Sequence, residues 1–338
     1  MKTAEIILEY QNEIQAPPVP KEALYQQACS HDGQTINSWR DTWIKHAKAN
    51  KERFGSFAEN GIGKLFGAHQ YKPCILAGSG PSLKGNGAQL KDRGEIPLIS
   101  CLHNFHFFED AGVKVDYYVS LDAGPVTVEE VSEGGKLSAD EYWERTANHT
   151  LLCYVGTHPD LLSKWQGKIY FFNAPVPDEA TRKGVNDVEV FNAIIGSGGN
   201  VLGASLYIAR AVLGCSSVAF VGADFSFGYD YKFHGWDSKY DKSLGQCMYL
   251  TDVYGIRRKT WPSYANFKAW FDWVALNVPG VYYNCTEGGC LGAYPEGNLS
   301  AFKYLDLKDY LDVMHMNKHV REQFLNPNAS GTELKLLF

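Results

Sequence analysis

Seven short, strand-like runs, at residues 74–77, 98–102, 117–121, 151–155, 169–172, 218–221 and 281–284, most of them continuously apolar, set the frame within which this chain can fold. A strand with one wet face alternates apolar and polar residues; these runs do not, so both faces of each strand are expected to be covered. Helix-like stretches such as 200–213 separate them. The pattern predicts a doubly wound, mostly parallel α/β sheet of Rossmann-like kind, with helices on both faces and an N-terminal helical extension. At 338 residues, 45% of them hydrophobic, the chain can fill a large core. The expected organisation is an extended arm over 1–37, containing Ala16-Pro-Pro-Val-Pro20, and a helical segment over 38–70 whose amphipathic helix runs from Ser38 to about Phe54. A Rossmann-like nucleotide-binding domain follows over 71–300, then a C-terminal helix and tail over 301–338. The two terminal segments are the expected contacts for a homo-oligomer.

A net charge of −6 leaves no broad footprint for nucleic acid, only a local basic cluster at Arg257, Arg258 and Lys259. No stretch approaches the roughly 18 apolar residues of a membrane span, and the N-terminus lacks a signal-peptide core, so a cytoplasmic location is expected. Eight cysteines occur without a C-x-x-C pair, which fits reduced thiols. Cys285 and Cys290 lack a second pair with finger-like spacing, so zinc is not expected there.

In a sheet of this kind ligands sit at the carboxyl ends of the strands, which singles out a few turns. Gly78-Ser-Gly-Pro-Ser82 follows the first run: Gly78 and Gly80 allow close backbone approach, while Pro81 and Ser82 suit a helix start, where a phosphate meets unpaired amides. Gly196-Ser197-Gly198-Gly199-Asn200 offers a second set of amides before an apolar helix, although a tightly packed helix start would also use glycine. Asp224, directly after the sixth run, suits a ribose hydroxyl, a divalent ion, an acceptor or a plain turn. Asp122 ends the third run and can join Asp224 around Mg²⁺ or form an Asx turn. Asn104, in Cys101-Leu-His-Asn-Phe-His-Phe-Phe-Glu-Asp110, suits a base edge, a sugar or a helix cap. Thr286 and Glu287 suit contacts to acceptor hydroxyls, or a turn. His234, in an aromatic loop, is a candidate general base or donor to a leaving phosphate. The aromatic stretch Trp261, Tyr264, Phe267, Trp270, Phe271 and Trp273 has helical spacing and reads first as core.

Together, Gly78-Ser-Gly-Pro-Ser-Leu83, Gly196-Ser-Gly-Gly-Asn200, Gly222-Ala-Asp224-Phe and Asn284-Cys-Thr-Glu-Gly-Gly289 resemble, in order, the motifs of the MptE-like family, which includes flagellin-modifying motility accessory factors (Maf proteins) and archaeal 6-hydroxymethylpterin diphosphokinases. The first three, with the 101–110 segment, are also similar to bacterial sialyltransferases that use CMP-activated sialic acid. That likeness implies that Gly78, Ser79, Gly80, Pro81, Ser82, Asn104, Ser197, Gly198, Gly199 and Asn200 hold the nucleotide. It also implies that His234 matches the catalytic histidine, although the intervening loop differs in length and composition. The resemblance implies a nucleotide-dependent transferase and covers two chemistries. One is glycosyl transfer from a CMP-activated nonulosonic acid or similar nucleotide sugar to a protein or glycan acceptor, with His234 and Asp224 catalytic. The other is diphosphoryl transfer from ATP to a pterin, with Mg²⁺ on Asp122 and Asp224. The favoured expectation is glycosyl transfer. A non-catalytic nucleotide-binding or assembly module is the third. The long Maf proteins carry more N-terminal sequence and a further C-terminal domain, so a stand-alone bacterial or phage-encoded enzyme is compatible with the resemblance.

Overall fold

The computed structural model describes residues 21–176, 178–228, 247–293 and 301–324. All seven predicted strands are present: β1 Pro73–Ala77, β2 Leu98–Cys101, β3 Tyr117–Ser120, β4 Thr150–Tyr154, β5 Lys168–Phe172, β6 Ser217–Val221 and β9 Val281–Asn284. Together with a short β10, Lys303–Tyr304, they form one eight-stranded sheet in the order β10-β9-β6-β1-β2-β3-β4-β5. Every pairing in it is parallel. Every residue of β1 and β6 is buried, as their unbroken apolar runs require, and β10 at the edge is exposed. From β1 to β5 the chain steps outward one strand at a time. It then returns to the other side of β1 to lay down β6 and β9. The direction therefore reverses between β1 and β6, the kind of position at which doubly wound sheets bind ligands at their carboxyl ends.

The N-terminal helix is longer than predicted. It runs over Lys21–Phe54, so residues 21–37 are helical where an extended arm was expected. Pro20 immediately precedes it, and proline is tolerated at a helix start but not in its interior. The missed part has no apolar stripe to give it away. The predicted 200–213 helix is α-helical over Val201–Tyr207 and widens to a π-turn over Ile208–Val212. A β7–β8 hairpin, Met248–Thr251 with Arg257–Thr260, escaped prediction because its second strand reads Arg-Arg-Lys-Thr. It hangs on the exit from β6: the Phe227 amide donates to the Lys259 carbonyl (2.8 Å) and the Thr260 hydroxyl to the Phe225 carbonyl (2.6 Å). In this hairpin Arg258 is buried against Asp252 (2.7 Å), and Arg257 and Lys259 lie over the Tyr249 ring, so the basic cluster is not an open patch.

Phe105 and Phe108 are fully buried, and most of the aromatic residues of the Pro262–Asn277 helix pack on the core, although Trp273 stays 44% exposed. The seven described cysteines are free thiols. None of the described helices is long and apolar enough to cross a membrane.

Candidate functional site

The 78–82 and 222–224 turns leave the neighbouring strands β1 and β6 and lock together. The Gly80 amide donates to the Gly222 carbonyl (2.8 Å), while Gly222 itself has φ +60°, which favours glycine. Ser82 donates to the Asp224 carboxylate twice, through its hydroxyl to Oδ2 (2.7 Å) and its amide to Oδ1 (3.2 Å). A Cβ on Gly80 would overlap Asp224 Oδ2. The glycines of this turn are thus required by contact with β6. This changes the expectation for a phosphate: the Gly78 and Gly80 amides go to Val221 and Gly222, the Ser82 amide goes to Asp224, and the following Leu83–Asn86 helix is a single turn. Asp224 itself supplies the anion that this turn holds.

Asp224 is buried, and burial pushes its carboxyl up from its usual 3.8 to about 6 against the opposing bonds from Ser82. The native state therefore keeps this proton between about pH 4 and 6, where the unfolded chain has lost it. Its contribution to stability falls as pH rises through that window and is level above it. A shift of this size corresponds to about 3 kcal/mol. Asp224→Asn keeps an acceptor for Ser82 and removes the desolvated charge. The variant is expected to match the parent in urea unfolding at pH 4, to exceed it increasingly up to about pH 6 and to hold a constant margin above that. A stability difference independent of pH would refute this assignment.

Asn104 is buried at the start of the Phe105–Ala111 helix, and its Nδ2 donates to the Gly78 carbonyl (2.9 Å) and Ser100 Oγ (2.9 Å), tying β2 to the β1 turn. Beside it, the Ser79 hydroxyl is within hydrogen-bonding reach of the Cys101 thiol, which burial pushes up to about 12, with Glu130 adding to the shift.

The second glycine turn sits at the start of the Val201–Tyr207 helix, which packs on β1, β2 and β3. The chain enters this helix from the carboxyl end of β5 and leaves it for the start of β6, so the helix N-terminus lies at the carboxyl edge of the sheet. Asn200 caps it, Oδ1 accepting from the Gly203 amide (2.9 Å). Gly198 (φ +55°) lies against the Trp270 ring, Trp270 on Phe271, and Phe271 on Phe225 beside Asp224. Aromatic packing thus connects this turn to the β6 exit.

The remaining predicted residues fall elsewhere. Asp122 is exposed at the end of β3, and its Oδ1 accepts from the Gly124 amide (2.7 Å), an Asx turn. β1 and β2 stand between β3 and β6, so Asp122 and Asp224 are about 14 Å apart at strand spacing, too far to share one Mg²⁺. Among the described residues no cluster of three or more His, Cys, Asp or Glu is arranged for a metal. Thr286 is buried and accepts from the Ala223 amide (3.3 Å). Glu287, at φ +58°, accepts from Asn86 Nδ2 (3.1 Å) and from the Leu307 amide (2.9 Å), so it clamps the last helix. Thr286 thus holds the β6 exit next to Asp224, while Glu287 is exposed. His234 lies outside the described residues.

Sequence reasoning passed over one pair. His103, in the short turn after β2, has Nδ1 2.8 Å from Glu130 Oε1 on the Val126–Ser132 helix. No local signature links residues that far apart in sequence; only adjacent strand ends bring them together.

A parallel sheet whose strand order reverses between β1 and β6 defines a Rossmann-like α/β protein. The chain belongs to the MptE-like family: the 6-hydroxymethylpterin diphosphokinase MptE-like profile matches residues 48–230, more than half of its length. Among solved structures, a MAf glycosyltransferase from Magnetospirillum magneticum AMB-1 is similar at 13% identity with a TM-score of 0.53. The match covers 84% of this chain and 42% of that one, so the chain spans less than half of that protein's length. A comparison with curated proteins gave no significant match.

Proposed function

We propose that this chain is a nucleotide-dependent transferase, and that it transfers a glycosyl group from a nucleotide sugar, favoured as a CMP-activated nonulosonic acid, to a protein or glycan acceptor. The observation that carries the reading is the strand-order reversal between β1 and β6, with the 78–82 turn and the capped 196–200 turn both at the carboxyl edge of the sheet. The donor phosphate is assigned to the 196–200 turn, where the Gly199 and Asn200 amides already bond to Ser197 (3.3 and 3.1 Å), so the Ser197 and Gly198 amides are the ones proposed for it. Ser79 is assigned to the nucleoside; Asn104, fully buried, does not reach a ligand as the sequence suggested and acts only by holding the Gly78 carbonyl of that turn. Asp224 acts through the 78–82 turn, which it holds in place, as a positioning residue. His234 is the proposed base that takes the acceptor hydroxyl proton.

The diphosphokinase alternative, supported by the family's description, needs strong neutralisation of phosphate charge by Mg²⁺. Asp122 and Asp224 do not converge, and Asp224 is already engaged by Ser82, so the two do not fit that metal. The separation favours glycosyl transfer. Thermal unfolding with added nucleotides tests the choice: CMP is expected to raise the midpoint by a few degrees, as ligand at about a hundred times its Kd contributes about 2.7 kcal/mol. Stabilisation by ATP with Mg²⁺ and none by CMP would reverse it.

A further inference from the structure

We infer that His46 is an acid-sensitive latch between the N-terminal helix and the turn that leaves β4: a proton on its buried ring nitrogen frees residues 43–50 from residues 154–158, while the helix stays fastened to the Glu179–Val188 helix. Trp43, His46 and Asn50 stand three and four residues apart on the Lys21–Phe54 helix, so they share one face. That face lies on the β4 turn. Trp43 is edge-on to Tyr154, with 6.1 Å between ring centroids, and a Cβ on Gly156 would stand 3.2 Å from the Trp43 Cα and Cβ. Asn50 is fully buried, and its Nδ2 donates to the Val155 and Thr157 carbonyls, both at 2.9 Å. Between these two, the His46 ring is edge-on to His158 at 5.0 Å. His46 is thus the one titratable side chain that the three residues bring to this contact.

His46 Nδ1 is buried without a hydrogen-bond partner. In the neutral ring that nitrogen carries only a lone pair, whereas an added proton would be a buried donor, and a charge, with no acceptor. The facing groups add to the cost. His158 Nδ1 accepts from the Asp160 amide (3.2 Å), which puts the proton of the neutral His158 ring on Nε2. Burial lowers the His46 pKa from 6.5, the His158 ring and Lys45 of the same helix lower it further, and the Gly156 backbone and Asp160 oppose the shift without cancelling it. The unfolded chain therefore takes up this proton at a higher pH than the native one. The contribution of His46 is full above pH 6.5, falls as pH drops through the lower native value, and is level below it. The other side of the helix answers to a different range. There Arg40 pairs with Asp178 (3.1 Å), and Lys51 with Glu189 (3.2 Å) and the Val188 carbonyl (2.8 Å). Hydrogen bonds from Thr181 hold Asp178 below 3.8, and Glu189, which burial alone would raise, is brought below 4.5 by Ser56, Phe57 and Ala58. Both carboxylates stay ionised in mild acid, so these pins hold when the latch opens.

The test is amide hydrogen exchange of the full chain, read by mass spectrometry in steps from about pH 7.5 to about pH 5 and corrected for the intrinsic pH dependence of exchange. The parent is expected to lose protection in residues 43–54 and 151–158 as the pH falls, and to keep it in residues 179–188. His46→Phe leaves a ring against His158 but no nitrogen to protonate, so it is expected to hold the same protection across the whole range. Unchanged protection of the two segments in the parent overturns the latch, and so does an acid loss that persists in His46→Phe. Loss in residues 179–188 together with the other two overturns it as well, because the whole helix contact would then be melting. Where His46→Phe is too unstable to compare, the ring signals of His46 in the parent decide by NMR titration. A midpoint below 6.5 that coincides with the loss of protection is the expected result, and one at or above 6.5 overturns the latch.

Discussion

Gly80→Ala is expected to lower the unfolding midpoint by about 6–12 °C and to abolish the CMP-induced shift. The added methyl has no room: it would overlap Asp224 Oδ2 and stand 2.7 Å from both Asp224 Cγ and the Gly222 carbonyl oxygen. Neither neighbour can yield cheaply. Asp224 is held by the Ser82 hydroxyl and amide, and its own carbonyl accepts from the Cys290 amide at 2.7 Å. The Gly222 carbonyl accepts from the Gly80 amide itself. Overpacking a rigid site costs about 3 kcal/mol, which at the ~2–4 °C per kcal/mol of larger domains gives the stated shift. Since the β1 and β6 turns can accommodate the methyl only by parting, the strand ends that carry the proposed nucleotide site shift with them. Gly85→Ala is the control, because a Cβ there meets nothing within 4 Å and Gly85 lies in a helical turn. It is expected to be neutral or slightly stabilising. Equal midpoints for the two variants would show that the turns are not locked as described.

Asp272→Ala is expected to cost about 3–5 kcal/mol, because it strands a buried cation. Lys268 and Asp272, one turn apart on the Pro262–Asn277 helix, are both buried. Lys268 Nζ also donates to the Ala293 carbonyl (2.9 Å), while Asp272 Oδ1 accepts from the Gly292 amide (2.9 Å). The ion pair thus clamps the segment after β9 onto this helix. The clamp reaches the site, since Gly289 (φ +68°) sits directly against the Asp224 backbone. Burial raises the Asp272 carboxyl, and Lys268 opposes that shift. Replacing both partners, Lys268→Met with Asp272→Leu, removes the two charges together and is expected to recover most of the loss. A double variant as unstable as Asp272→Ala would mean that the bonds to Ala293 and Gly292, not the charges, carry the effect. Urea unfolding of the three proteins decides between these outcomes.

The pattern of the candidate site shows where a linear reading reaches its limit. Gly78, Gly80, Ser82 and Asp224 all stand where a strand-end site was expected, but a sequence cannot tell whether a glycine makes room for a ligand or for another loop. Here both turns make room for each other. Thr286 carries a side chain suited to hydroxyl contact, yet it is buried and its oxygen goes to the Ala223 amide, whereas Glu287 is exposed and commits only Oε1, to Asn86 and Leu307. Asp122 and Asp224 are equivalent by local pattern and separate by two intervening strands. His103 and Glu130 show the converse, a pair with no motif that strand order brings together.

By itself the order of residues determined the layered parallel sheet, because continuous apolar runs can be satisfied only by covering both faces of each strand, and burial of that surface dominates the folding free energy whatever the connections. It determined equally that glycine-rich turns and lone carboxylates would lie at strand ends. Strand order was decided only in three dimensions, by the return of the chain from β5 to the far side of β1. Hydrogen-bond satisfaction was decided there too. Whether Asp224 faces a ligand or Ser82, and whether His103 meets Glu130, depends on distances of about 3 Å between groups far apart along the chain, and the short-range preferences written in sequence do not encode such distances.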